Sequence, residues 1–138
     1  MAGLIQLELV TPEELVFSNP VEFAVVPGSE GDFGVLPGHA PFVSELRTGV
    51  LKVYKNGQVD KRLFVSAGFA ELTNEKCVVL ADEAIEVESA KIEDIEKRIE
   101  ENRIVIKEAR DEVERARASA ALNISEALLS EVEAENVT

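Results

Sequence analysis

Hydrophobic and polar positions follow two different periods in the two parts of this 138-residue chain. In the first part the alternation has a period of two, as where Leu7 and Leu9 flank Glu8. Side chains of a β-strand point alternately to its two faces, so this period is typical of strands with one buried side. The pattern predicts a β domain over residues 1–86 and helix over most of residues 87–138.

Three further stretches define the expected strands. Val21, Phe23 and Val25 alternate with less apolar neighbours, which predicts a strand that buries these three side chains. The runs at 63–65 and 77–80 are apolar without interruption. Such runs are typical of strands buried on both faces.

Turn-forming residues separate these stretches. Asn56-Gly57 is a strong signal for a two-residue hairpin, because both central residues of a type I′ turn need positive φ. Proline followed by glycine suits the centre of a type II turn. Many short strands at close spacing are typical of a sandwich or a flattened barrel. The predicted turns are Thr11–Glu14, Pro27-Gly28, Pro37-Gly38, Asn56-Gly57 and Thr73-Asn74.

The second part lacks proline, glycine and aromatic residues, since the last of each are Pro41, Gly68 and Phe69. Small and apolar residues recur there at the 3–4 spacing of a heptad seam. The seam alone predicts one long helix or a coiled-coil partner. The β-branched run 104–106 favours instead a helical hairpin with a turn near 107–111, and both arrangements stay open. The seam residues are Ile92, Ile95, Ile99, Asn102, Ile106, Ala109, Val113, Ala116 and Ala120.

Charge constrains the partners. The formal net charge is −13, with a balance of −7 over residues 1–86 and −6 over residues 87–138. This field repels nucleic-acid backbones and anionic headgroups, so we expect neither nucleic acid nor lipid as a direct partner. No stretch reaches the ~18 apolar residues of a membrane span. The N-terminus also lacks the features of a signal or transit peptide, which predicts a protein that stays in a cytoplasm.

Candidate catalytic groups are few, since the chain has one histidine, His39, and one cysteine, Cys77. A small enzyme would need them as a nucleophile pair. Cys77 lies in an apolar run, however, which favours a core cysteine. Neither a cluster of metal ligands nor a Gly-rich loop ending in Lys-Ser or Lys-Thr occurs. We therefore expect no catalytic residue, no cofactor and no metal.

An acidic glycine-rich segment, residues 28–34, carries Glu30 and Asp32. Two carboxylates would repel a phosphate, so the segment predicts either a structural turn or an exposed loop tip that meets a partner. His39, between two prolines, has the same two interpretations: a loop residue or an interface contact.

One long stretch resembles the hallmark segment of the ATP synthase epsilon family: residues 27–41, PGSEGDFGVLPGHAP. LELVTP at 7–12, GFAEL at 68–72 and VLAD at 79–82 resemble it too, in the same order. The family is the bacterial counterpart of the mitochondrial delta subunit. The resemblance covers nearly the whole β domain, whereas the helical part matches in length and composition only.

This resemblance implies a ten-stranded β-sandwich followed by a two-helix hairpin, which forms one long helix when extended. It implies a non-catalytic rotor subunit of the central stalk, with the gamma subunit, the ring of c subunits and the alpha/beta catalytic head as partners. The sandwich would dock on gamma and the c-ring, and the helices would restrain ATP hydrolysis. The implied interface residues are Glu30, Gly31, Asp32 (the foremost candidate) and His39, with Arg110, Arg115 and Arg117 toward the beta subunit.

One departure concerns nucleotide binding. Some family members bind ATP through an Ile/Leu-Asp-x-x-Arg-Ala motif on the first helix. At the matching stretch, Ile92–Lys97, Glu96 replaces the arginine and Lys97 the alanine. A carboxylate repels phosphate, so we expect no nucleotide site.

The expected location is the cytoplasmic face of a bacterial plasma membrane, ahead of a plastid thylakoid. The main rival hypothesis is a free-standing adaptor that dimerises through its heptad seam.

Overall fold

The computed structural model describes the backbone of residues 3–137 and the side chains of residues 3–135. The chain forms two compact units, Met1–Glu86 and Val87–Thr138. Met1, Ala2 and Thr138, at the ends of the two expected domains, lie outside the described residues. Within residues 3–137, no helix is both long enough and apolar enough to cross a bilayer.

The first unit is a β-sandwich made from one continuous sheet that folds over on itself. The strands pair in the order β2-β1-β8-β7-β6-β3-β4, and β5 pairs with β7. The first and last strands, β1 and β8, pair in parallel. The strands are β1 (Ile5–Val10), β2 (Leu15–Val21), β3 (Phe23–Gly28), β4 (Gly31–Val35), β5 (Phe42–Glu45), β6 (Gly49–Lys55), β7 (Gln58–Leu72) and β8 (Lys76–Glu86).

The long strands β7 and β8 each serve both layers of the sandwich. On β7 the core residues are Leu63 and Val65 on one side of Gly68, and Ala70 and Leu72 on the other. Because side chains alternate along a strand, the change from odd to even positions means that the strand turns over between them. The expected number of ten strands is therefore wrong. Residues 3–137 contain eight strands, and ten would result if β7 and β8 were each divided at this bend.

Backbone conformation explains how the bend forms. Ala67 has φ 51° and Gly68 has φ 122°, both outside the range of extended strands. A Cβ atom at Gly68 would lie 1.8 Å from the carbonyl oxygen of Leu80. Only glycine allows β8 to approach the bend this closely.

Four of the five predicted turns are confirmed. Asn56 and Gly57 both have positive φ, at 54° and 76°, between β6 and β7. At Pro37-Gly38, the His39 N–H donates to the Leu36 carbonyl oxygen at 3.3 Å, and Gly38 has φ 78°. The other two join β1 to β2 and β7 to β8. They are closed by N–H donation from Thr11 to the Glu14 oxygen, 2.9 Å, and from Thr73 to the Lys76 oxygen, 2.8 Å.

Other local predictions are wrong. Pro27-Gly28 ends β3 instead of forming a turn, because the hairpin turns at Ser29 and Glu30. The alternation expected over residues 21–25 breaks at Glu22, between β2 and β3. As a result Ala24 and Val26 enter the core, while Phe23 and Val25 are half-buried.

The run at 77–80 is also only partly buried. Cys77 and Val79 lie in the core, whereas Leu80 points outward and is 52% exposed. Buried and outward-facing side chains therefore alternate along this part of β8. The prediction that the run is buried on both faces is wrong here. The run at 63–65 is buried as predicted.

The second unit is a helical hairpin, which settles the arrangement that the sequence left open. A 3₁₀ turn at Val87–Ser89 precedes α1 (Ile92–Glu108) and α2 (Glu112–Val137). Ala109 is extended, with φ −60° and ψ 136°, and ends α1. Asp111 Oδ1 then accepts the Glu114 N–H at 2.8 Å, which caps the start of α2.

The predicted seam is confirmed on α1 and wrong on α2. Ile95 and Ile99 are buried, but Val113 is 62% exposed. The turn interrupts the heptad count, so α2 buries a different set of positions. The buried residues of α1 and α2 lie within one helical hairpin, so the apolar face of α1 is covered by the same chain. This argues against an adaptor that dimerises through the heptad seam. The buried α2 residues are Ala118, Ser125, Leu128 and Val132.

A buried polar group fixes how the two helices are paired. Ser125 is fully buried, and its hydroxyl accepts from Arg98 Nε at 2.8 Å. The same hydroxyl lies 2.8 Å from Asn102 Oδ1 and 2.9 Å from the Ala121 carbonyl oxygen. Since buried polar groups need partners, these bonds favour this alignment of α1 and α2 over a shifted one.

We predict that Gly68→Ala lowers the free energy of unfolding of the sandwich by more than about 2 kcal/mol, because the new Cβ meets the Leu80 carbonyl. Gly57→Ala is the matched control: it also has positive φ, but nothing lies within 4 Å of its Cβ position. It should cost about 1–2 kcal/mol. Denaturant titration followed by circular dichroism gives both values. Equal losses would show that the close approach does not matter.

Candidate functional site

The acidic segment forms the tip of the β3–β4 hairpin. Ser29 and Glu30 make the turn, and Gly28 pairs with Gly31 on either side of it. The side chains of Glu30 and Asp32 are exposed. The structure therefore places Glu30, Gly31 and Asp32 together at one surface point.

The end of β5 and the residues after it hold this tip. The Ser29 N–H donates to the Glu45 carbonyl oxygen at 2.8 Å, and the Arg47 N–H donates to the Pro27 oxygen at 3.0 Å. Arg47 Nη1 donates to the Gly28 oxygen at 2.7 Å. Arg47 Nη2 and Asp32 Oδ1 form an ion pair at 2.5 Å. Sequence reasoning did not single out Arg47, because nothing in its surroundings in the chain marks it.

His39 lies at the opposite end of β5 from Arg47. Its Nδ1 is 2.9 Å from the Ala40 carbonyl oxygen. Its ring centroid is 6.3 Å from that of Phe42, which in turn packs edge-on against Phe33 at 5.2 Å. Through the ring of Phe42, His39 is thus connected to Phe33 on β4, the residue that follows Asp32.

An apolar row crosses the outer face of the sandwich, which the sequence analysis missed. Phe69 on β7 pairs with Leu80 on β8, Leu80 with Val10 on β1, and Val10 with Leu15 on β2. Residues paired across strands project from the same face. Phe69 and Leu80 are each 52% exposed, and Leu15 is 57% exposed. The row was missed because Leu80 was predicted to be buried in the core. Nothing in the sequence then indicated that the residues paired with Leu80 face outward.

The three candidate arginines lie at the turn end of the helical hairpin. Arg110 is exposed between the helices, and Arg117 is exposed on α2. Arg115 forms an ion pair with Glu112 one turn earlier on the same helix. The three arginines thus lie close together at the turn, but one of them, Arg115, is already paired with a residue of its own helix.

Comparison with known proteins gives a direct result. The family model for the β-sandwich domain of the ATP synthase delta/epsilon chain matches residues 4–87. That is more than half of the chain. The chain belongs to the ATP synthase delta/epsilon family. This confirms the family that residues 27–41 resemble.

Relatives in the delta/epsilon family extend the match over the helical unit. An ATP synthase epsilon chain of Rhodospirillum rubrum is 48% identical over 130 residues, covering 94% of this chain and 97% of the relative. The epsilon chain of Rhodospirillum centenum is 43% identical, covering 94% and 92%.

Two solved structures agree with the fold. A chain in the cryo-EM structure of the Euglena gracilis mitochondrial ATP synthase, an assembly of OSCP, F1 and the c-ring, matches with a TM-score of 0.72. It is 30% identical, with coverage of 94% of this chain and 82% of that one. A chain of the Tetrahymena thermophila central stalk and c-ring has a TM-score of 0.52 over 62% of this chain and 68% of that one. Its 12% identity shows a shared fold alone.

In this family member, Cys77 is a core residue of β8. Its side chain is fully buried, and burial raises the pKa of the thiol from 9.0 to about 12. The reactive form of cysteine is the thiolate, which this environment disfavours. The geometry thus argues against the Cys77–His39 nucleophile pair.

We expect native Cys77 to react with a chromogenic disulfide reagent at pH 8 at least ~100-fold more slowly than the unfolded chain. Cys77→Ala supplies the blank. The raised pKa also means that the unfolded thiol ionises first. The contribution of the buried, protonated Cys77 thiol to the free energy of unfolding is therefore complete below pH 9.0. This contribution declines as the pH rises toward 12. Rapid labelling of the native protein would restore the nucleophile hypothesis.

Proposed function

We propose that this chain is a non-catalytic rotor subunit in the central stalk of ATP synthase, which links gamma to the c-ring and modulates ATP hydrolysis through its helices. Membership of the delta/epsilon family supports the complex. The exposed apolar row on the sandwich is the observation that supports a docking role. In this proposal residues 1–86 form the docking domain and residues 87–138 the regulatory domain.

The apolar row is the proposed gamma-binding face. The row places contiguous apolar side chains on four neighbouring strands, and three of them are more than half exposed. Exposed apolar patches of this kind mark interaction sites. Phe69 and Leu80 lie at its centre, and aromatic and aliphatic anchors of this kind dominate the energy of protein interfaces. The relative from Euglena belongs to an assembly that contains F1 and the c-ring, which is consistent with such a partner.

The acidic tip is the proposed contact with the c-ring. Glu30, Gly31 and Asp32 project from a short hairpin that is held by backbone hydrogen bonds, so the tip is both exposed and ordered. His39 belongs to the same proposed interface through the loop at Pro37–Pro41. The tip would meet polar or cationic groups, because its own exposed side chains are acidic.

The helical unit is the proposed regulatory element. Its two helices share few buried large side chains, and Ser125 with its polar partners lies between them. Such an interface allows compact and extended arrangements to differ by only a few kcal/mol, so that a rotor state could select between them. Arg110, Arg115 and Arg117 are the proposed contacts with the beta subunit. No nucleotide site is proposed, because Glu96 occupies the arginine position of the motif and a carboxylate repels phosphate.

As a subunit of ATP synthase, the chain would be peripheral to the membrane. The proposed location is the cytoplasmic face of a bacterial plasma membrane, which the bacterial relatives support. Contact with the membrane would run through other subunits, because the net charge of −13 disfavours direct docking on anionic lipid.

Reversing the polarity of the apolar row tests the proposed docking face. Phe69→Asp with Leu80→Asp should weaken binding to a gamma-containing catalytic complex by at least ~100-fold, because both side chains lose apolar burial. Val113→Asp, on a residue of the helical unit that is 62% exposed, should leave the affinity unchanged. Surface plasmon resonance gives the dissociation constants. Unchanged binding by the double variant would place gamma on another face.

Charge reversal at the helical turn tests the proposed regulation. Arg115→Glu with Arg117→Glu should leave binding to the alpha-beta-gamma complex intact and reduce any inhibition of ATP hydrolysis by about half or more. The reason is that the helices would lose their attraction to an acidic partner. Hydrolysis is measured while the full chain is titrated in and binding is followed by gel filtration. Loss of binding instead would contradict the proposed division of roles.

A further inference from the structure

We propose that Arg47 is the positioning residue of the acidic tip: it neutralises Asp32 and fixes the hairpin, so that Glu30 is the charge presented to the partner. The inference rests on the proposed function, since it takes the tip to be the surface that meets the c-ring. It replaces Asp32, the foremost candidate from the sequence, with Glu30 as the residue in direct contact.

The geometry of Arg47 supports this role. Its guanidinium reaches two different elements of the hairpin: Nη1 donates to the Gly28 carbonyl on β3, and Nη2 pairs with Asp32 on β4. A planar guanidinium with several fixed donors can bridge two such acceptors, which a single ammonium group does less well. Arg47 therefore joins the two strands of the hairpin just below its turn.

The backbone around Arg47 adds two further ties. Its N–H donates to the Pro27 oxygen at 3.0 Å, and the Ser29 N–H donates to the Glu45 oxygen at 2.8 Å. Pro27 cannot donate a ladder hydrogen bond, so its carbonyl is the group through which β3 is held here. Together the four interactions fix both sides of a two-residue turn.

The small contribution of the ion pair to stability indicates that its role is to position the hairpin. The Arg47 and Asp32 side chains are 44% and 56% exposed, and ion pairs so accessible to solvent contribute little to stability. The pair nevertheless cancels the charge of Asp32 where a partner would approach. Among the described residues, none forms a hydrogen bond or an ion pair with the Glu30 carboxylate, which is exposed.

The chemistry of the partner follows from this arrangement. A partner that approaches the tip meets one uncompensated carboxylate on a rigid turn, with the carboxylate of Asp32 already engaged. A cationic or hydrogen-bond-donating group on the partner fits that carboxylate. Because Glu30 is exposed, its attraction to such a group should weaken as salt is added.

The test measures the affinity of the full chain for a detergent-solubilised complex of gamma with the c-ring, at several salt concentrations. Glu30→Gln should weaken binding about 5- to 10-fold and flatten the salt dependence, since it removes the presented charge. Asp32→Asn combined with Arg47→Gln should weaken binding by about 3-fold and keep the salt dependence, because it removes the ion pair that orders the tip without changing the net charge.

Arg47 is tested in a double-mutant cycle. Arg47→Gln should resemble Asp32→Asn in disordering the tip, and the double variant should bind no more weakly than Arg47→Gln alone. Arg47→Lys should recover part of the affinity. Amide hydrogen exchange of the free chain gives a readout without any partner: exchange at Ser29 should accelerate about 10-fold or more in Arg47→Gln and stay unchanged in Glu30→Gln.

The outcomes separate the two proposals. If the wild-type chain does not bind the complex, the proposed function fails, while hydrogen exchange still tests the positioning role. If the wild-type chain binds and the Asp32→Asn/Arg47→Gln variant, instead of Glu30→Gln, removes the salt dependence, then Asp32 is the contact and the inference is wrong. Unchanged exchange at Ser29 in Arg47→Gln would likewise overturn the role of Arg47.

Discussion

The close approach of Gly68 to the Leu80 carbonyl is the constraint on which the sandwich depends. It allows β7 and β8 to turn over together, so that one continuous sheet supplies both layers of the core. The same bend determines which side chains face outward, and Phe69 and Leu80 follow directly from it. The Gly68 carbonyl also accepts the Leu46 N–H at 2.9 Å, next to Arg47. The apolar row and the support of the acidic tip therefore share one structural origin.

The helical unit depends on a different kind of interaction. Apolar packing between α1 and α2 is modest, and the fully buried Ser125 gives the pairing its specificity. Buried polar groups favour one alignment because any other would leave them without partners. The unit thus combines a defined compact form with limited burial, as an element that changes its arrangement would require.

Much of the fold could be predicted from local signals, and the failures have physical causes. Asn56-Gly57 specified its hairpin because few residues other than glycine and asparagine accept positive φ. Pro27 misled, because a proline at the end of a strand looks the same in sequence as a proline in a turn. Leu80 misled because the period of two was hidden by an apolar residue on the solvent face. The α2 seam failed because a heptad count cannot anticipate a three-residue turn.

The candidate site was predictable only in part. Glu30, Asp32 and His39 were identified from the segment that resembles the family, not from their spacing. Arg47 lies 15 residues from Asp32 in sequence, and only the pairing of β5 with the rest of the sheet brings them together. A long-range ion pair of this kind leaves no local pattern. The apolar row was missed for a related reason, since it runs across four strands and along none of them.

The pairing of β1 with β8 has a consequence for how the chain acquires its structure. Gln6 pairs with Lys76 and Val10 with Leu80, so the sheet cannot be completed until most of the sandwich has been synthesised. Contacts this distant in sequence carry a large loop-closure entropy and slow folding. The helical hairpin, by contrast, is joined by a three-residue connection and is made of local contacts. On a ribosome, the first residues of this chain therefore wait for the eighth strand, whereas the last unit to emerge needs only its own neighbours.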